Sequence, residues 1–77
     1  MANLSDDWKN RITINPQIKN GNPCIRDLRI SVNDVLSYLV SGMTVEEILD
    51  DFPYLEREDI FACFAFCASV IKFYYHS

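Results

Sequence analysis

From Val32 onward the chain carries three apolar stripes at helical spacing, separated by one glycine and one proline. That punctuation restricts this part of the chain to a small helical bundle. Val32, Val35, Leu36, Leu39, Val40 and Met43 form the first stripe, with Ser31 or Asn33 placed to cap it. Gly42 ends this helix, because glycine enters the left-handed conformation at no steric cost. Thr44-Val-Glu-Glu47 reads as a capping box, in which the Thr44 hydroxyl accepts from the Glu47 amide and the Glu47 carboxylate accepts from the Thr44 amide. Val45, Ile48, Leu49 and Phe52 share one face of the second helix, and Pro53 stops it. The third helix begins near Glu56 and runs to Tyr75. Glu56, Glu58 and Asp59 stand where its dipole favours negative charge, as a solvated helix start.

The part in front is of another kind. Residues 1–10 read as a flexible tail, with Trp8 as a potential anchor. Arg11-Ile-Thr-Ile-Asn15 alternates with β-branched residues and predicts a short strand, ended by Pro16. Asn20-Gly21-Asn22-Pro23 is a turn signal, and Cys24 to Ile30 reads as a second extended segment. The expected layout is a hairpin arm over residues 11–31 and a three-helix bundle over residues 32–77, in one mainly α domain. A lone hairpin is marginal in water, so the arm must pack on the helices.

Seventy-seven residues bury only about 60% of their unfolded surface, yet this chain is 49% hydrophobic. The third helix holds much of that load. Ile60, Cys63, Phe64, Cys67, Ile71 and Tyr74 make one stripe, and Ala62, Phe66, Val70 and Phe73 make another. Two short helices do not cover both. One stripe is therefore expected to meet a second subunit, with Phe61, Phe66, Val70, Phe73 and Tyr74 as the interface of a homodimer or the seat of another partner.

Charge is split along the chain. Residues 1–32 hold five Lys/Arg against three Asp, a net of +2, and residues 33–77 hold two against eight acids, a net of −6. Arg11, Lys19, Arg26 and Arg29 of the arm are the candidate nucleic-acid contacts, together with Arg57 at the start of the third helix. The competing expectation is that Arg26 and Arg29 pair with acids such as Glu47, Asp50 or Asp51. The second helix, the turn Phe52-Pro-Tyr-Leu55 and the third helix have helix-turn-helix spacing. Glu56, Glu58 and Asp59 at the reading end carry a large penalty beside phosphates, so a stand-alone DNA reader is disfavoured.

Catalytic and metal chemistry find little support. Cys63 and Cys67 lie four apart on one helix face, but with a distant His76 they do not complete a tetrahedral metal site. They read as small core hydrophobes. A Cys–His nucleophile pair needs His76, the penultimate residue, and the pairs Glu46-Glu47 and Asp50-Asp51 read as a solvated face. No Gly-rich phosphate loop is present. The expectation is a non-enzyme with no cofactor and no metal. The polar, acidic start and the odd set Cys24, Cys63 and Cys67 point to reduced thiols in a cytoplasm. No apolar run approaches the ~18 residues of a membrane span.

The runs NGNPCIRDLRISV and SGMTVEEILDDFPYLEREDI resemble the domain-of-unknown-function 433 family. Its pattern is roughly G-x-P-x-I-x-G-T-R-I-x-V, a helix, G-M-[ST]-x-E-E-I, and [FY]-P-x-L-[ST]-x-E-D-[IV]. Gly21, Pro23, Ile25, Arg29, Ile30 and Val32 match its first part; Gly42, Met43, Thr44, Glu46, Glu47 and Ile48 its second; Phe52, Pro53, Leu55, Glu58, Asp59 and Ile60 its third. Asp27-Leu28 stands where the family has Gly-Thr, and Glu56 replaces the usual Ser/Thr cap. The resemblance implies a homeodomain-like three-helix bundle. It also implies an antitoxin that binds a toxin resembling the PIN-domain ribonucleases and, in such systems, often operator DNA. The alternative is a homodimeric interaction module without DNA binding.

Overall fold

A computed structural model describes the backbone of residues 6–75 and the side-chain surroundings of residues 8–71. A 3-10 turn over Asp6–Asn10 leads into β1 (Ile12–Thr13), a second 3-10 turn over Lys19–Gly21, and β2 (Cys24–Ile25). Three helices follow: α1 (Val32–Val40), α2 (Val45–Asp51) and α3 (Arg57–Tyr75). The fold is mainly helical, with a short two-stranded antiparallel sheet in front.

Local chemistry sets the helix ends. Ser31 caps α1 through a reciprocal box with Asp34, at 3.0 Å and 2.9 Å. Thr44 and Glu47 cap α2 in the same way, at 3.1 Å and 2.8 Å. Gly42 follows the end of α1 with φ +106, the left-handed region that terminates a helix. These ends match the sequence expectation. Thr44→Ala removes one partner from a seven-residue helix. It should cost about 1 kcal/mol, read from chemical denaturation, and an unchanged midpoint would mean that the cap is redundant.

The arm departs from its expected form. The strand pairing is limited to Ile12 with Ile25 and Thr13 with Cys24. Cys24 to Ile30 is not one extended segment. It doubles back on itself, with Ile25 N–H donating to Ile30 O at 3.0 Å, Leu28 N–H to Ile25 O at 2.8 Å and Val32 N–H to Pro23 O at 2.9 Å. Arg26, Asp27 and Arg29 all take positive φ, at 47, 58 and 64. No glycine announces this turn, because Asp27 stands where the family pattern carries Gly. Asp27 holds the left-handed conformation through two bonds with Thr13: the Thr13 hydroxyl donates to its carboxylate, and its own N–H donates to the Thr13 oxygen. β2 is thus flanked on both sides, by β1 and by the returning residues 30–32, and Cys24 and Ile25 are both buried.

The core gathers Ile12, Ile25 and Ile30 of the arm with Val32, Val35, Ile48, Leu55, Ile60, Ala62 and Cys63 of the helical part. Arm and bundle therefore share one core. The tail expected over residues 1–10 is, from Asp6, a 3-10 turn packed on α3, and Trp8 stands edge-on to Phe66 with ring centroids 5.2 Å apart. Trp8 is the anchor that its position in the sequence suggested. Among the described residues no helix is long and apolar enough to cross a membrane.

Candidate functional site

Arg11 and Arg26 face each other across the sheet, because Arg26 N–H donates to Arg11 O at 2.9 Å, one step beyond the Ile12–Ile25 pair. Like charges in that relation repel unless an anion lies between them. The anion is Asp59, fully buried in the first turn of α3. Its Oδ1 accepts from Arg11 Nη1 at 2.8 Å and from Arg26 Nε at 3.1 Å. Its Oδ2 accepts from Arg26 Nη2 at 2.7 Å and from the Glu56 backbone N–H at 2.8 Å. Arg26 Nη2 also donates to Tyr54 O at 2.9 Å, and Arg11 Nη1 to Glu56 Oε1 at 2.6 Å. One carboxylate thereby ties the arm, the α2–α3 turn and the start of α3 together.

Asp59 also performs a cap's task. Glu56 lacks the short hydroxyl that caps a helix, and its carboxylate turns outward to Arg11. The Asp59 carboxylate reaches back to the Glu56 N–H and supplies the other half of a capping box. The start of α3 is therefore held despite the missing Ser/Thr. It is not the fully solvated acidic turn that the sequence predicts, since Asp59 is enclosed while Glu56 and Glu58 are exposed.

Burial pushes the Asp59 carboxyl up. The Arg26 bond, the Glu56 N–H and the Arg11 bond outweigh that and hold it below the usual carboxylate range. The bond from Glu56, then that from Asp59, raises Arg11 further, so both guanidiniums stay charged at any working pH. A carboxyl depressed in the folded state stabilises above its unfolded value of about 3.9, and that contribution fades as pH falls through the lower folded value. Asp34 behaves likewise: burial raises it, and bonds from Ser31 and Lys19 bring it below its ordinary value. Stability should hold from neutral pH to about pH 5 and drop steeply below about pH 4. Urea midpoints across that range check it, and a flat profile would mean that Asp59 is not held as a depressed carboxylate.

The other candidate contacts are also engaged. Lys19 Nζ lies 3.0 Å from Asp34 Oδ2, which raises the lysine, and Arg57 Nη2 lies 3.1 Å from Glu46 Oε2 across the α2–α3 corner. Arg29 is exposed on the tip of the arm turn and makes no ion pair with a described residue. The sequence expectation that Arg26 pairs with an acid holds, but the acid is Asp59 and not Glu47, Asp50 or Asp51. The sequence held one sign of the Asp59 cap, its position, though not of its burial. Asp59 shares a helical face with Cys63, Phe66 and Cys67, all buried or half-buried, and stands three residues after the cap position.

The apolar faces of α3 also need correction. Phe66 was expected at an interface, but it is packed inward on Trp8. Ile60, Ala62 and Cys63 are buried, with Phe66 and Cys67 against the core, so the inner face draws from both expected stripes. Phe61 is 57% exposed, Phe64 43% and Ile71 55%. Val70 is exposed within the chain. The side chains of Phe73 and Tyr74 lie outside the described residues, as does His76. Burial raises the Cys63 thiol to about 12 and also lifts Cys67 and Cys24, so these are poor thiolates. Among the described residues no group of three or more His, Cys, Asp or Glu side chains gathers as a metal site.

A curated relative, the uncharacterized protein y4eO of Sinorhizobium fredii (strain NBRC 101917 / NGR234), is 37% identical over 49 residues. The alignment covers 64% of this chain but only 22% of that protein, so the chain corresponds to about a fifth of its relative. No solved structure matches. The model of the family described as "Protein of unknown function (DUF433)" matches residues 12–67. This stretch runs from the first strand of the arm, through the Asp59 clamp, to the buried face of α3, and the chain belongs to the DUF433 family.

Proposed function

We propose that this protein is an antitoxin-like regulator that acts by binding protein, with a PIN-like ribonuclease toxin as its partner. The observation that carries the reading is the fate of the cations. Arg11, Lys19, Arg26 and Arg57 are each held by a carboxylate of the same chain, while Glu46, Glu47, Asp50, Asp51, Glu56 and Glu58 are exposed. Such a surface repels a phosphate backbone and attracts a basic one. A ribonuclease must hold a polyanion, so the walls of its cleft present cations, and an acidic body complements them.

Operator DNA is a secondary partner in this reading and rests on Arg29. Arg29→Ala should weaken operator binding and reduce its salt slope by about 1 for each phosphate that Arg29 neutralises. Unchanged binding would remove the arm from any DNA role. The engagement of the other four cations favours a second reading, a homodimeric interaction module without DNA binding. A tagged pull-down from the native host separates the two. The proposal requires a stoichiometric ribonuclease-like partner that is released by salt and does not cleave RNA while bound. Recovery of the chain with no other protein overturns it and leaves the second reading.

A further inference from the structure

The exposed side of α3 carries an uncovered seam. Phe61, Phe64 and Ile71 are exposed with Ala68 half-buried between them, and the four recur at steps of three, four and three residues, the spacing of a packed helix–helix seam. α3 has 19 residues against nine in α1 and seven in α2, so it outruns the helices that pack on its inner side. No charged residue occurs from Ile60 to Ile71. A basic partner finds nothing to pair with along this side. The surface suits an equally uncharged helix, and this chain supplies one.

We infer that a second copy of this chain covers the seam, with the two α3 helices antiparallel. The side chains select the direction. In an antiparallel pair centred between Phe64 and Ala68, Phe64 of each copy lies over Ala68 of the other, and Phe61 lies over Ile71. Large meets small, which is how helices approach closely without voids or overlap. A parallel pair sets Phe64 against Phe64 and Ala68 against Ala68, crowding one level and leaving a gap at the next. Charge agrees. The parallel pair aligns Glu58 with Glu58, whereas the antiparallel pair brings the acidic first turn toward the partner's last turns, whose charged residue is Lys72. Antiparallel helix dipoles also attract. Of the acids nearest the start of the seam, Glu46 is held by Arg57 and Glu56 by Arg11, so the −6 of residues 33–77 does not forbid self-association. The inference is independent of the toxin reading, since the same dimer serves an antitoxin or a plain interaction module.

Light scattering on the full chain tests it, with circular dichroism to confirm folding. The native protein should run at twice the chain mass of 8.9 kDa at high micromolar concentration. Ala68→Glu places two charges in a dry seam and should raise the dissociation constant at least about 100-fold with helicity retained. Ala68→Phe alone should weaken the dimer through a Phe–Phe overlap. The exchanged double variant Phe64→Ala/Ala68→Phe keeps large on small and should restore it. A native chain at monomer mass, or a dimer indifferent to Ala68→Glu, overturns the seam. A dimer strengthened by Ala68→Phe, or one weakened by it and not recovered by the exchange, overturns the antiparallel direction. Failure to capture a toxin leaves each of these outcomes unchanged, so the two proposals fail separately.

Discussion

Replacing Asp59 with alanine is expected to cost about 3 kcal/mol of folding stability, enough to lower the melting temperature by roughly 12–24 °C in a domain of this size. The loss has two sources. Two guanidiniums that face each other across the sheet lose the anion between them, and the Glu56 N–H loses its acceptor at the start of α3. Breaking a buried pair by removing one partner costs more than the pair contributes, because the stranded charge remains. The cost sits at the lower end of the usual range because Arg11 and Arg26 are 31% and 35% exposed and retain some water. Asp59→Asn keeps an acceptor for the Glu56 N–H but removes the charge, so it should fall between alanine and the native residue. Glu56→Ala is the control. Its carboxylate is 57% exposed and makes one bond to Arg11, so its loss should stay below about 1 kcal/mol. Equal effects from Glu56→Ala and Asp59→Ala in thermal melts would show that the clamp is a surface pair.

Ile60→Ala should destabilise by about 2–5 kcal/mol, while Phe61→Ala, one residue on, should cost less than about 1 kcal/mol. Ile60 is fully enclosed in the shared core, and deleting three carbons there leaves a cavity. Phe61 is more than half exposed within the protomer. The comparison belongs at a concentration dilute enough to keep the chain monomeric, since self-association would add a second role for Phe61. Denaturation midpoints in that order support the packing of α3 as described. The reverse order would mean that α3 is rotated about its axis, and the exposed seam would vanish with that rotation.

These predictions depend on features of unequal visibility in the sequence. Ser31 as one of two candidate caps, Thr44 with Glu47, and Gly42 were legible because a cap is decided within four residues. The stop at Pro53 was legible for the same reason. The turn over residues 26–29 was legible only through Asp27 at the family's Gly position, because its other left-handed positions are filled by Arg26 and Arg29, which carry no mark of a turn. Thr13, fourteen residues earlier, supplies the bonds that hold Asp27 there.

The faces of α3 were illegible for another reason. Periodicity works by contrast, and from Ile60 to Ala68 this helix has no polar residue except its cysteines. Both stripes read as apolar, and Phe66 was assigned outward although Trp8 claims it.

By itself the sequence determined the number, order and ends of the helices, the family, and the division of charge between arm and body. Each of these follows from neighbours a few residues apart or from composition alone. Only the tertiary structure decided that Arg11 and Arg26 turn inward while Arg29 stays exposed, that Asp59 is a buried clamp and not part of a solvated turn, and which side of α3 is left bare. Those outcomes depend on β1, β2, the α2–α3 turn and α3 meeting at one carboxylate across separations of up to 48 residues. A lone acid buried there would be too costly to keep, and the converging donors from distant parts of the chain are what make its burial tolerable.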